Sequence, residues 1–338
     1  MGVRRAVLLG AVAVAMAAPA WNGTPAAKAA PAADVSLDGP SDVLVDGGTV
    51  YVVDQRHKAI RRLDLATRRL TAVPTSEPLI GPFKIAMGSD RALIAIDLFR
   101  VVRISLDDGR VTTLAGERRL EAEGRRVGAL EAIAADPRGG GAFVAGLDSI
   151  VRIDGAGRVS HVAGGTGLTG YDPGATSGDG GPAASAGFAF VSDLLADPSG
   201  NLYVAQFSDF PGGDRVRRID AATGVVTTVI GPETAIAGRD GAEADDLADP
   251  QHLAWDASGG LVVAERGRIL RADLASGGVR VISDRQPSYG SWSGLAIAPD
   301  GALIVTDYTL NRVRRIDPRT DRIRSIAGRG PRIHAIEM

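Results

Sequence analysis

One four-part unit recurs along this chain, and the recurrence limits its possible folds more than any other feature. Each copy joins a short apolar run, a Gly-rich turn, a β-rich run and an Arg-containing run. Leu194-Leu195-Ala196-Asp197-Pro198-Ser199-Gly200-Asn201-Leu202-Tyr203-Val204-Ala205 aligns with Leu295-Ala296-Ile297-Ala298-Pro299-Asp300-Gly301-Ala302-Leu303-Ile304-Val305-Thr306. The first leads into Arg215-Val216-Arg217-Arg218-Ile219-Asp220, the second into Arg312-Val313-Arg314-Arg315-Ile316-Asp317. The residue closing the third run falls at Asp64, Ser105, Asp154, Asp220, Asp273 and Asp317, at intervals of 41, 49, 66, 53 and 44 residues. Gly/Asp/Pro insertions lengthen the two widest intervals. A unit of this length with four short strands predicts a β-propeller, because no single unit can bury its faces alone. The expected fold is all-β, a six-bladed propeller of four-stranded antiparallel blades at roughly 42–78, 84–120, 130–165, 191–232, 250–285 and 292–328. A weak amphipathic window over Glu117–Leu130 is the one helical signal.

The N-terminus reads differently. Arg4 and Arg5 precede an apolar run from Ala6 to Ala18, too short for a permanent bilayer span, and the small-residue sites Ala18-Pro19-Ala20 and Ala27-Lys28-Ala29 follow. Residues 1–30 are therefore expected to be a signal peptide and processing region. The propeller is expected to start near residue 34, secreted or periplasmic by the Sec or the twin-arginine route. No later stretch reaches 18 consecutive apolar residues, so no stable membrane span is expected. The sequon Asn22-Gly23-Thr24 lies beside the cleavage sites and carries little weight.

Composition excludes several chemistries. The 338 residues contain no Cys, which removes disulfides, thiolate metal sites and thiol nucleophiles, and four His (His57, His161, His252, His334) restrict imidazole chemistry. Net charge is −2 with no basic block, so a nucleic-acid partner is not expected. Gly165-Thr166-Gly167-Leu168-Thr169-Gly170 has dinucleotide-type glycine spacing, but no helix follows to receive a pyrophosphate. Gly178–Gly181 lacks the alternating oxygen ligands of a calcium loop, and the glycine-rich Gly164–Gly187 connection is expected to be exposed and mobile. Hydrolase, zinc-protease and P-loop motifs are absent from the sequence.

Two sets of equivalent positions remain. Asp54, Asp97, Gln206, Glu265 and Asp307 end the second strands, where side-chain acceptors normally stabilise turns; the third unit has Gly146 there. Near the start of each inner strand stand Asp42, Lys84, Ala132, Asp193, His252 and Gly294. A propeller axis brings equivalent positions together, so Asp42, Lys84, Asp193 and His252 are expected to converge on the channel mouth as a ligand-binding set. Asp42, Asp193 and His252 are candidate ligands for a divalent cation such as calcium. The alternative is that they only line a water-filled mouth.

Gly178-Asp179-Gly180-Gly181-Pro182-Ala183, Val191–Asp197, Gly200-Asn201-Leu202-Tyr203-Val204-Ala205 and Val216-Arg217-Arg218-Ile219-Asp220 resemble the bacterial NHL-repeat family over roughly residues 40–328. The resemblance implies a six-bladed propeller with inner-strand starts and second-to-third-strand loops on one face. It also implies Gly at the inner-strand position, kept here only by Gly294, and Asp at the second-strand ends, from which Gln206 and Glu265 depart. The family includes extracellular sensor and interaction domains and is similar in shape to lactonases, strictosidine-synthase-like enzymes and peptide-amidating lyases. The expected function is a monomeric binding or interaction module, taking a protein or a small polar, carbohydrate-like ligand through its loop face and channel mouth. The alternative is an enzyme at the mouth, a metal-assisted lactonase or other hydrolase, or a lyase.

Overall fold

Six antiparallel sheets surround one axis in the computed structural model, whose described residues are 30–116, 120, 127–146, 148–166, 176–209, 212–241, 244–284 and 292–329. The inner strands are Pro40–Asp46, Pro82–Met87, Ala132–Ala135, Val191–Ala196, His252–Trp255 and Gly294–Ile297. Each contacts the next, and the sixth contacts the first, which closes the ring. The chain is an all-β, six-bladed propeller with four consecutive strands per blade. The expected signal peptide, the sequon, most of the 117–130 window, the last four residues of the Gly165–Gly170 motif and His334 lie outside the described residues.

Local chemistry explains the periodic Asp. Asp64, Asp154, Asp220, Asp273 and Asp317 stand at the third-to-fourth-strand turn, and each accepts hydrogen bonds from backbone N–H groups two to four residues ahead. Such Asx turns reverse the chain without using a strand's own hydrogen bonds. The third-strand arginines Arg103, Arg152, Arg271 and Arg315 fold back onto Asp90, Asp136, Asp256 and Asp300 in the first hairpin of their own blades.

Burial is deepest in the second strand of each blade, not the first. Ala92–Asp97 and Leu261–Glu265 are buried at every residue, because neighbouring blades cover both faces. The inner strands expose their later residues to the channel. Six apolar clusters follow, each shared by two adjacent blades. Gly146 is required by close approach: a Cβ there would lie 1.4 Å from the Val127 carbonyl oxygen, where the chain entering blade three takes the space other blades give to a carboxylate.

Among the described residues no strand is exchanged at the closure. Ser293 Oγ donates to the Pro40 carbonyl at 2.6 Å, and the Gly39 N–H donates to Asn311 Oδ1 at 2.8 Å. A Cβ on Gly294 would come within 2.9 Å of Asp42 Cα, so only Gly lets blade six meet blade one this closely. Ala30–Pro31 adds a short strand beside Arg69–Ala72, and Ala32 and Leu37 pack with Ala298, Ile304 and Val313 of blade six. The folded ring thus includes residues upstream of the expected start near 34.

The described second half of the Gly164–Gly187 connection is largely exposed, as expected, and is also tied to blade four. Gly180 and Ala183 donate to carbonyls of Val226 and Gly224, laying this segment along the outer strand Val226–Ile230. Arg217, whose side chain is fully buried, donates to the Gly187 and Ser177 carbonyls at 2.7 and 3.0 Å and to Asp179 at 2.6 Å, under the Phe188 ring. Burial pulls the Arg217 guanidinium below its usual range while Asp179 holds it up. Glycine content suggested mobility; one buried cation supplies the anchor. Replacing Asp179 with Ala is expected to cost about 2–3 kcal/mol, the low end for breaking a buried pair since Asp179 is partly exposed. It should also speed proteolysis within 176–187. An unchanged unfolding midpoint and cleavage rate would refute the anchor.

Candidate functional site

The inner strands run from the face carrying the second-to-third-strand turns toward the face carrying the first hairpins. Both ends of the channel open into cavities. The upper, of about 490 Å³, is lined by one residue from the strand-start region of every blade, Ser41, Phe83, Glu131, Ser192, Gln251 and Ser293, together with Lys84 and His252. The lower, of about 500 Å³, is lined by Asp42, Asp193 and inner-strand residues such as Ala86, Ala134, Ala254 and Ala296.

The four positions singled out from the repeat do meet, but as a partition across the channel and not as a ring around its rim. Asp42, Lys84 and His252 are buried. Lys84 Nζ donates to His252 Nδ1 at 3.3 Å and stands 3.9 Å from Asp193 Oδ1. His252 Nε2 lies 2.8 Å from the Trp292 carbonyl, which can only accept, so the proton sits on Nε2 and the Nδ1 lone pair faces the ammonium. Asp42 Oδ2 accepts from the Ile85 N–H and Asp193 Oδ2 from the Leu253 N–H, both at 2.8 Å. Each aspartate therefore ties its blade to the next.

Electrostatics follow from this burial. Desolvation raises the Asp42 carboxyl to about 6; the Lys84 charge opposes the rise and the Asp193 charge adds to it. Asp193 is raised by burial against the pull of Lys84. His252 is pushed well below its ordinary 6.5, first by burial and then by the ammonium. Glu131, half-buried in the upper wall, is raised by burial and drawn back by Lys84. The donor set does not fit the expected divalent cation. Both His252 nitrogens are engaged, and Lys84 puts its own ammonium among the carboxylates. Among the described residues no group of three His, Cys, Asp or Glu side chains converges on one point.

Asp54, Asp97 and Glu265 of the second-strand set are structural, Asp307 accepts from the Leu310 N–H, and Gln206 is buried with neither side-chain amide atom partnered among the described residues. Asp54 accepts from the Asp38 N–H and from Arg61, Asp97 from the Ile80 and Gly81 N–H groups and from Arg100, and Glu265 from the Ala248 N–H. Each pins the segment leading into its own blade. His57 adds a contact to Asp54, and His161 bonds the Gly164 carbonyl.

Sequence reasoning missed the residues that give the upper cavity its character. Phe83, Phe190, Phe207, Trp292 and Tyr308 line it in a chain with only 4% aromatic residues, and Phe190 stacks on Phe207 with centroids 4.9 Å apart. The signal was present: Phe207 and Tyr308 follow the equivalent residues Gln206 and Asp307, and Phe83 and Glu131 stand one place before the inner-strand position. The dipeptides Ser41-Asp42 and Ser192-Asp193 were a second signal, since each serine donates to a carbonyl of the following blade, Phe83 or Pro250.

No family model and no curated protein matches the chain. Solved structures match in fold. A Bacteroides thetaiotaomicron protein of unknown function is 14% identical, with 85% of this chain and 71% of that chain covered and a TM-score of 0.61. A streptogramin B lyase is 14% identical over 91% of this chain and 88% of that one, at 0.54. A Xanthomonas campestris gluconolactonase is 15% identical over 91% and 90%, at 0.53. At these identities the likeness establishes the six-bladed propeller and no activity.

The His252 assignment predicts a titration. The folded imidazole refuses a proton that the unfolded chain accepts below 6.5, so its contribution to stability is present above that pH and is lost as pH falls. Nitrogen-15 NMR should show a neutral, Nε2-protonated ring persisting as the pH falls through 6.5. If every described histidine titrates near 6.5, the Lys84–His252 contact is wrong.

Proposed function

We propose that this protein is a binding propeller that holds a small molecule in the upper cavity. The observation that carries the reading is the cavity's construction: every blade contributes, aromatic side chains form much of the wall, and Lys84 and His252 form a polar floor. Its volume falls in the range of small-molecule sites, and apolar walls with a few placed polar groups are the usual composition of such sites. Flat aromatic faces beside hydroxyl and carboxylate groups suit a guest with an apolar face and polar edges, carbohydrate-like ligands included. The repeat sequence supports placing the protein among NHL-repeat propellers. The charged start, short apolar run and small-residue sites of residues 1–30 support secretion or periplasmic export. Among the described residues no helix is long and apolar enough to cross a membrane.

One observation favours a second reading, an enzyme at the same place. A neutral imidazole facing a lysine ammonium at a cavity floor is a proton-transfer pair, and propellers of this shape include the lyase and the lactonase named above. On that reading Lys84 and His252 move a proton at the ligand's inner end. A turnover lost in both Lys84→Met and His252→Gln, with ligand affinity kept, would favour it.

The binding reading is tested by filling the cavity. Compounds that raise the unfolding temperature of the wild type, found in a screen of aromatic small molecules, should bind Gln251→Trp at least tenfold more weakly in calorimetry. The stability of the ligand-free variant should stay within about 0.5 kcal/mol, as for substitutions away from packed cores. Equal affinity for the variant, or a screen in which nothing shifts the wild type, would overturn the reading.

A further inference from the structure

Hydrogen-bond acceptors recur at equivalent positions of the upper cavity wall, beside the Trp292 indole N–H, which is unpartnered among the described residues. Ser41, Ser192 and Ser293 each have one hydroxyl proton, and each gives it to a carbonyl of the following blade, at Phe83, Pro250 and Pro40. Their oxygens are left with lone pairs only, so three equivalent positions of the wall act as acceptors. Gln251 gives an amide proton to Asp249 at 3.2 Å. Both nitrogens of His252 are engaged. Glu131 lines the wall and, among the described residues, its carboxylate has no hydrogen-bond or ion-pair partner.

Charge is lopsided. Lys84 is the one cation at the floor, and two carboxylates beneath it, Asp193 at 3.9 Å and Asp42 within its field, already oppose it. At neutral pH the partition is therefore not net positive, and Glu131 adds a carboxylate above it in excess. Around this excess stand the rings of Phe83, Phe190, Phe207, Trp292 and Tyr308, whose electron-rich faces attract cations.

We infer that the upper cavity takes an organic cation, a protonated amine on an aromatic or aliphatic body, with the Glu131 carboxylate as its counter-ion and the Ser41, Ser192 and Ser293 oxygens as acceptors for its N–H groups. The inference rests on the small-molecule reading above and specifies its ligand class. Lys84 does not repel such a guest as a free ammonium would, because its charge is matched from below; it sets the depth to which the amine can enter. A carboxylate guest would meet the like charge of Glu131 and three acceptor oxygens, and its donors would be the Trp292 indole N–H, which has no partner among the described residues, and the Lys84 ammonium.

Three probes of one size and different charge separate the possibilities: phenethylammonium, 2-phenylethanol and 3-phenylpropionate, titrated by calorimetry at pH 7.5 into wild type, Glu131→Gln and Gln251→Trp. Circular dichroism and thermal unfolding confirm that each variant folds. Phenethylammonium should bind wild type at least tenfold more tightly than the other two. Glu131→Gln should erase that advantage and leave 2-phenylethanol unchanged, since a charge-assisted hydrogen bond is lost but the apolar wall is not. If 3-phenylpropionate binds most tightly and loses affinity in Gln251→Trp, the cation assignment falls and the cavity reading survives. If phenethylammonium binds Glu131→Gln as tightly as wild type, Glu131 is not the counter-ion and the inference fails. If no probe binds wild type, the inference fails together with the reading beneath it.

Discussion

Closure of the ring is the constraint on which everything else depends. A blade of four short strands has two apolar faces, and the second strand of each blade stays dry only when a neighbour stands on both sides. The sixth blade must therefore find the first, and among the described residues it does so without trading a strand. Ser293 and Asn311 bond to Pro40 and Gly39, Gly294 allows backbone contact near Asp42, and Ala32 and Leu37 fill the seam. A closed ring also removes the long exposed edge that an open stack of sheets would present.

Closure creates the site as a by-product of symmetry. Six equivalent inner strands place equivalent residues around one axis, so a departure from glycine at that position becomes a side chain in the channel. Lys84 and His252 come from blades two and five, and Asp42 and Asp193 from blades one and four. The aspartates serve two roles, tying neighbouring inner strands together and balancing a buried ammonium. The carboxylates stand as counter-charges to Lys84 and make it a fixed part of the channel.

Much of this was legible in the sequence because repetition makes long-range contacts readable. The period gave blade number and strand order, and register alone brought Asp42, Lys84, Asp193 and His252 together across 210 residues of chain. What escaped lies beside the compared repeat positions or between blades. Phe190 and Trp292 lie in inter-blade connections, so no register placed them at the cavity. Glu131 hid one place before the unremarkable Ala132. Asp179 looked like part of a loose glycine loop because its partner Arg217 is 38 residues away, on the strand Arg215–Ile219. The hydrogen bonding of the candidate metal ligands escaped for a related reason: spacing could gather Asp42, Asp193 and His252, but only coordinates show both imidazole nitrogens engaged.

The central claim is that the cation of this channel is built in and is the ammonium of Lys84. The most direct measurement is a crystal structure of the protein soaked in calcium at neutral pH, with anomalous scattering collected to locate the metal. The account predicts continuous density from Lys84 to a position between His252 and Asp193, with no anomalous peak at the partition. An anomalous peak ligated by Asp42, Asp193 and His252, with Lys84 turned aside, would contradict it.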